Sequence, residues 1–164
     1  MIPGVLTSLP LLLRICAVTD GSITYLLEAI FGGKAEVSTL CQQIVKADEK
    51  MCSLLNISPK EPVNIRKVTL GVNGVIHVFA KSLSPINRMP VGVREQLTQA
   101  DMPIGKILRS NKLETRRDIL HIERLHSSDY FTGEVLSRDY VIIHDGRVLM
   151  WINEVFPIDF RWDA

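Results

Sequence analysis

Two β-hairpins constrain the fold of this chain most strongly, because each is marked by a turn dipeptide between segments that alternate apolar and polar residues. Asn73-Gly74 lies between Val72 and Val75, and both turn residues tolerate the positive φ angles of a type I′ turn. Asp145-Gly146 has the same character between segments 140–144 and 147–156. The two turns predict two antiparallel strand pairs within one sheet.

Helices are predicted before and between these hairpins. Apolar residues at helical spacing predict a helix over 9–17, and a second helix is expected to begin at an Asp20 cap and to end at Gly32-Gly33. The other segments are predicted as strands over 36–46 and 116–125, a loop over 56–62, and short helices over 93–99 and 103–108. We therefore expect a single α+β domain over residues 1–164, with helices covering an antiparallel sheet.

Composition excludes several classes of function. A net charge of +1 over 164 residues gives no basic surface for nucleic acid. Cys16, Cys41 and Cys52 form no CxxC pair, and the four histidines are widely separated, so no metal site is expected. The apolar run over 9–13 is too short for a membrane span and lacks a signal peptide's basic flank. The sequence predicts a cytoplasmic protein without metal, nucleic-acid or membrane partners, and it leaves the oligomeric state open.

Two charged residues lie on strand faces that are otherwise apolar. The period-2 rule places Arg66 on one face with Val68 and Leu70, and it places Glu154 on one face with Ile152. A buried charge costs several kcal/mol unless it is paired, neutralised or bound to a ligand. The pattern indicates a ligand site, and two alternatives stay equally open: both residues reach water at strand ends, or they pair with each other.

The first hairpin predicts a second cation beside Arg66. With Val72 opposite Val75, the ladder places Arg66 opposite Lys81. Like charges directly across a ladder are unfavourable by up to about 1 kcal/mol, and a bound anion would relieve the repulsion. The alternatives are that both side chains extend into solvent, or that a bulge shifts the register.

Several short motifs resemble the chorismate lyase family, also called 4-hydroxybenzoate synthase, from about Asp20 to Phe156. In chain order, the motifs are Ser22-Ile23-Thr24, Arg66-Lys67-Val68-Thr69-Leu70, the turn at Gly74, Ala80-Lys81-Ser82 with Pro85, Pro103-Ile104-Gly105 with Leu108, and Asn153-Glu154-Val155-Phe156. Their order and spacing carry the resemblance more than any one of them does.

This resemblance implies an antiparallel sheet with a small-molecule ligand enclosed beneath helical flaps. It implies a lyase that splits chorismate into 4-hydroxybenzoate and pyruvate without a metal or organic cofactor. Arg66 would hold the ring carboxylate, and Glu154 would lie at the hydroxyl end. Ile23 and Ile104 would form apolar walls, backbone amides near Ile104 would assist carboxylate binding, and Lys81 would bind the enolpyruvyl carboxylate.

The chain departs from the family pattern at two wall positions. Ala80 stands where the bacterial enzymes have a glycine, and Ile23 stands where they have a methionine. Both changes are expected to narrow or reshape the pocket. An apolar face also favours the neutral form of a carboxyl group, so Glu154 is expected to donate a proton as the enolpyruvyl group leaves.

Two other functions remain open. The same architecture occurs in effector-binding domains of bacterial transcription regulators, so the chain can instead be a non-catalytic domain that binds or senses a small aromatic acid. The two N-terminal helices carry few basic residues, which disfavours a DNA-binding segment. A lyase acting on a different cyclic enol ether acid would keep Arg66 and Glu154 and change the walls.

Overall fold

Both predicted hairpins are present, side by side in the centre of a six-stranded antiparallel sheet. The computed structural model describes residues 4–99 and 101–163. The strands are β1 (Ala35–Lys46), β2 (Pro62–Val72), β3 (Val75–Pro85), β4 (Arg116–Leu125), β5 (Val135–His144) and β6 (Arg147–Pro157). Their order is β1-β2-β3-β6-β5-β4, so β3 and β6 join the two hairpins.

The turn residues have the backbone angles that the sequence predicts. Asn73 and Gly74 have φ angles of 53° and 78°, and Asp145 and Gly146 have φ angles of 49° and 72°. Asparagine, aspartate and glycine adopt this left-handed region at low cost, and its twist matches that of the flanking strands.

Helices cover both faces of the sheet. They are α1 (Leu11–Val18), α2 (Ile23–Phe31), α3 (Glu49–Leu55), α4 (Val91–Gln99) and α5 (Ile104–Ser110). Helices α1 and α2 pack on β2 through a core that contains Leu13, Leu27 and Leu70. Helices α4 and α5 pack on the same face of β5 and β6, and α3 packs on the opposite face. No helix among the described residues is long and apolar enough to cross a membrane.

One local prediction is wrong, and one helix was missed. Ser22, rather than Asp20, is the cap residue of α2, although the helix does end at Gly32, whose φ is 67°. Helix α3 was not predicted, because seven residues give too few turns for a clear periodicity; Asp48 caps it and accepts a hydrogen bond from the Met51 amide at 2.8 Å.

A β-bulge changes the register of the first hairpin. The ladder shifts between Leu70 and Gly71, so Arg66 lies opposite Ser82 and Lys67 lies opposite Lys81. A Cβ atom on Gly71 would lie 2.7 Å from the carbonyl oxygen of Val75, so only glycine allows this close approach. The predicted pairing of Arg66 with Lys81 is wrong because a one-residue shift moves a side chain to the other face of the sheet.

Candidate active site

A partly enclosed cavity lies between the sheet and helices α2 and α5. Five of the six residues that the sequence singles out line it: Ile23, Arg66, Ala80, Ile104 and Glu154. Their individual binding roles remain predictions, but the fold brings them together from five separate elements. Arg66 on β2 and Glu154 on β6 are separated by β3, so the two strands lie about 10 Å apart, and the two residues are offset by two positions along them.

Ala80 forms the floor of the cavity between these two charges. It pairs with Val68 of β2 on one side and with Glu154 of β6 on the other. Its single methyl group leaves space above the centre of the sheet, where a larger side chain would fill the cavity. Val68 and Ile152 make the rest of this floor apolar.

The roof of the cavity forms where helices α2 and α5 meet. Ile23 begins α2, and Ile104 begins α5 after Pro103. A Cβ atom on Gly105 would lie 2.2 Å from the Ser22 hydroxyl oxygen, so the glycine permits this contact between the two helices. The helices thereby enclose the cavity from above.

Arg66 is a buried cation with few partners. Arg66 is 1% exposed, and its Nη2 donates a hydrogen bond to the Met102 carbonyl at 3.0 Å. Its Nε is buried and has no hydrogen-bond partner among the residues that the structure describes. Burial lowers the pKa of Arg66, while the charge of Asp101 acts in the opposite direction. Arg66 therefore neither reaches water nor pairs with Glu154, and it retains donors for an anion.

Glu154, in contrast, is fully paired. Arg138 Nε donates to Glu154 Oε2 at 2.7 Å, and Arg138 Nη2 lies 2.7 Å from the same oxygen. The Tyr140 hydroxyl donates to Glu154 Oε1 at 2.9 Å. Both carboxyl oxygens of Glu154 therefore already accept hydrogen bonds from buried donors, which favours a role as a fixed hydrogen-bond acceptor in the cavity.

Arg138 and Tyr140 keep complementary protonation states. Burial lowers the pKa of Arg138, but the charge of Glu154 outweighs it and holds that pKa above its ordinary value. Burial raises the pKa of Tyr140, and the same carboxylate raises it further, so the phenol remains a neutral donor. Sequence reasoning missed Arg138, although the alternation of Leu136, Arg138 and Tyr140 on β5 carries the same signal that identified Glu154.

Arg138 also fixes the end of α1 to the sheet. Its Nη1 donates to the carbonyls of Cys16, Ala17 and Thr19 at 2.7, 3.2 and 2.9 Å. The last carbonyls of a helix have no partner within the helix, so a buried guanidinium that caps them stabilises the connection between α1 and α2. One arginine thus positions both the carboxylate and the backbone above it.

Lys81 lies on the face of the sheet away from the cavity. It sits between Lys67 on β2 and Asn153 on β6, whereas its neighbours in sequence, Ala80 and Ser82, line the cavity. The prediction that Lys81 contributes to the anion site is therefore wrong. A different cation, Arg117 of β4, lines the cavity and was not predicted.

His77 and His144 do not line the cavity. His77 is buried and stacks on Phe31 with ring centroids 4.2 Å apart, and its ring lies edge-on to Trp162. His144 Nδ1 lies 3.0 Å from the Glu114 carbonyl oxygen.

Comparison with known proteins assigns this chain to a family. A family model described as chorismate pyruvate-lyase Rv2949c-like matches residues 17–163. The chain belongs to this family. The matched range contains Arg66, Glu154, Arg138 and the helices of the roof.

Individual relatives agree with this chorismate pyruvate-lyase family. The chain is 34% identical over 152 residues to protein MJ0807 of Methanocaldococcus jannaschii, whose name proposes a lyase activity without a substrate; the match covers 85% of this chain and 74% of the relative. It is 23% identical over 156 residues to the chorismate pyruvate-lyase of Mycobacterium tuberculosis strain H37Rv, covering 88% and 78% of the two chains.

Solved structures share the fold of this family member. The effector domain of PhnF from Mycobacterium smegmatis superposes with a TM-score of 0.68 at 18% identity, covering 85% of this chain and 90% of that domain. A GntR-family transcriptional regulator from Bacillus cereus superposes with a TM-score of 0.58 at 17% identity, covering 74% and 90%. These likenesses support the predicted chorismate lyase-like α+β architecture.

Proposed function

We propose that this chain converts chorismate into 4-hydroxybenzoate and pyruvate in the cavity between Arg66 and Glu154. The observation that carries the proposal is the state of Arg66, a buried guanidinium with one hydrogen bond and an unpartnered Nε at the wall of an apolar cavity. A poorly paired buried cation destabilises the unliganded fold, so its presence at a cavity wall indicates an anionic ligand. The family match supplies the substrate class.

The reaction suits a site that positions its substrate. The ether bond between the ring and the enolpyruvyl group breaks, and the neighbouring hydroxyl-bearing ring carbon loses its hydrogen as a proton. A new ring double bond forms, and the enolpyruvyl methylene carbon gains a proton as pyruvate leaves. Because the product ring is aromatic, orientation and fixed charges suffice without a metal or an organic cofactor.

Arg66 binds the ring carboxylate in this proposal. Its free Nε, with one of its terminal nitrogens, offers the two parallel donors that a carboxylate accepts. The apolar walls of Ile23 and Ile104 then sandwich the flat ring, and Ala80 leaves room beneath it.

Glu154 accepts a hydrogen bond from the ring hydroxyl at the other end of the cavity. Its carboxylate is held by Arg138 and Tyr140, so it does not need to move when substrate binds. A fixed acceptor here aligns the hydroxyl-bearing carbon next to the ether bond that breaks. This role replaces the proton donation expected from the sequence.

A comparison of two arginines tests the binding role. Arg66→Met should raise the thermal midpoint, because it removes a poorly paired buried charge, and it should weaken 4-hydroxybenzoate binding by about 2–5 kcal/mol. Arg88 is the matched control: its guanidinium donates to the carbonyls of Leu55, Asn56 and Val148, so Arg88→Met should lower the midpoint and spare binding. If calorimetry finds the same affinity for 4-hydroxybenzoate in Arg66→Met as in the unmodified chain, Arg66 does not bind the carboxylate and the proposed anion site is wrong.

Glu154→Gln tests the catalytic role separately. The amide keeps the shape of the side chain but loses the charge, so chorismate turnover should fall by about 10²–10³-fold, while 4-hydroxybenzoate affinity changes much less. Full turnover in this variant would show that Glu154 takes no part in the reaction. Tight binding of 4-hydroxybenzoate to the unmodified chain without any chorismate turnover would favour the sensing function instead.

A further inference from the structure

We infer that Arg117 binds a second carboxylate, the one on the enolpyruvyl group, and makes the cavity selective for dicarboxylates. The inference rests on the proposed function, because it names a second contact to the same substrate. It assigns to a residue of β4 the role that the sequence gave to Lys81.

Arg117 has donors to spare at the cavity wall. It is half-buried, and its Nε is buried without a partner in the described part of the chain. Its Nη1 makes a long hydrogen bond of 3.4 Å to the Asp20 carbonyl. The flanking residues Arg116 and Asp118 pair with each other at 2.7 Å on the exposed surface. Arg117 therefore resembles Arg66 in having a buried Nε without a partner, whereas the Nε of Arg138 donates to Glu154.

The position of Arg117 fits the shape of the substrate. In the sheet order, β6 with Glu154 lies between β2 with Arg66 and β4 with Arg117. Arg117 lies opposite Ile142 of β5, two residues along the strand from Tyr140, the donor to Glu154, and both line the cavity. In chorismate the ether lies on the ring carbon next to the hydroxyl-bearing carbon, so its carboxylate must lie beside the Glu154 end. Arg117 lines the cavity from β4, on the side of Glu154 away from Arg66, and is therefore placed to bind this carboxylate.

The charges of the cavity match a dianion. Its charged lining residues, within 4–99 and 101–163, are Arg66, Arg117 and Glu154. Arg138 neutralises Glu154 by its ion pair, which leaves two positive charges for ligand. A dicarboxylate balances both charges, whereas 4-hydroxybenzoate balances one. Loss of the Arg117 contact on cleavage also weakens the hold on the aromatic product.

Two probes measured by calorimetry separate this role from that of Arg66. The first is 4-hydroxybenzoate, with one carboxylate, and the second is meta-(carboxyvinyloxy)benzoate, which has both carboxylates and a ring that is already aromatic and so cannot eliminate. Arg117→Gln should weaken the second probe by roughly 10–100-fold, the range for a charge-assisted hydrogen bond. Its affinity for the first probe should stay within about threefold of the unmodified chain, which also reports that the variant is folded.

Control variants make the comparison specific. Arg117→Lys should recover part of the lost affinity, and Arg116→Gln, which removes a neighbouring exposed charge on the same strand, should leave both probes unaffected. Arg66→Met should weaken both probes.

Two results would overturn the inference: equal losses for both probes in Arg117→Gln, or no loss for the dicarboxylate. Chorismate turnover by the unmodified chain is scored independently. If turnover is present and Arg117→Gln has no selective effect, the inference fails and the proposed function stands. If turnover is absent and the selective effect is present, the dicarboxylate site stands and the lyase activity fails.

Discussion

Removing Arg138 should destabilise this protein more than removing any surface arginine. Arg138→Met leaves the Glu154 carboxylate buried with one donor, the Tyr140 hydroxyl, and it leaves three carbonyls at the end of α1 without their common partner. Both residues of the pair are almost fully buried, with side chains 1% and 8% exposed, so solvent cannot replace the lost contacts.

The size of the effect follows from this burial. Breaking a buried ion pair by removing one partner typically costs about 3–5 kcal/mol, because the remaining charge stays uncompensated. A domain has a free energy of unfolding of about 5–15 kcal/mol, so the variant should remain folded but marginal. Glu154→Gln should cost less, because Arg138 keeps its three carbonyls. In the double variant Arg138→Met with Glu154→Gln, the cost should be well below the sum of the two single costs.

Urea unfolding followed by circular dichroism measures these free energies. Arg116→Met is the control, because Arg116 and Asp118 form an exposed pair, and it should leave the unfolding midpoint nearly unchanged. A cost below about 1 kcal/mol for Arg138→Met would refute the reasoning, since that is the range of exposed ion pairs. Should Arg138→Met not fold at all, Arg138→Lys gives a partial loss that can be measured in the same way.

Two further predictions follow from buried titratable groups. Burial lowers the pKa of His77 below its ordinary value of about 6.5, so its contribution to stability is present above that pH and is lost as pH falls. The free energy of unfolding should therefore decrease between pH 7.5 and pH 5.5, and it should decrease less in His77→Phe. Exposed His126→Gln is the control, and the same pH slope in His77→Phe as in the unmodified chain would disprove the assignment. Burial also raises the pKa of the Cys16 thiol to about 12, so a thiol-specific disulfide reagent at pH 8 should label exposed Cys41 in the native protein and Cys16 only after unfolding; equal labelling rates would contradict this.

The sequence predicted the elements whose signals are local. Asn73-Gly74 and Asp145-Gly146 determine their own hairpins, and period-2 alternation identifies faces within each strand. Arg66 and Glu154 were found because the period-2 alternation holds over the few residues on either side of each.

The misplacement of Lys81 comes from one residue. Alternation assumes a continuous ladder, and the bulge at Gly71 breaks it between the turn and Arg66. An isolated glycine inside a strand pattern is itself a signal for a bulge, so Gly71 was the clue. A pairing counted from a turn is reliable only as far as the first such position.

The hydrogen bonds of Arg138 and Arg117 depend on residues distant in sequence. Arg138 meets the carbonyl of Cys16 across 122 positions of the chain, and Arg117 reaches the carbonyl of Asp20 across 97. No local pattern encodes these contacts. The strand order β1-β2-β3-β6-β5-β4 was equally out of reach, because the turns specify each hairpin but not how the two hairpins join.

The cavity between Arg66 and Glu154 is proposed to release pyruvate from chorismate. The most direct measurement is to incubate the purified chain with chorismate and to quantify 4-hydroxybenzoate by ultraviolet absorbance and pyruvate by a coupled dehydrogenase assay. We predict equimolar amounts of both products, formed well above the uncatalysed rate, and none above that rate with Arg66→Met. Chorismate that remains intact with the folded, unmodified chain, or equal product formation with Arg66→Met, would contradict the account.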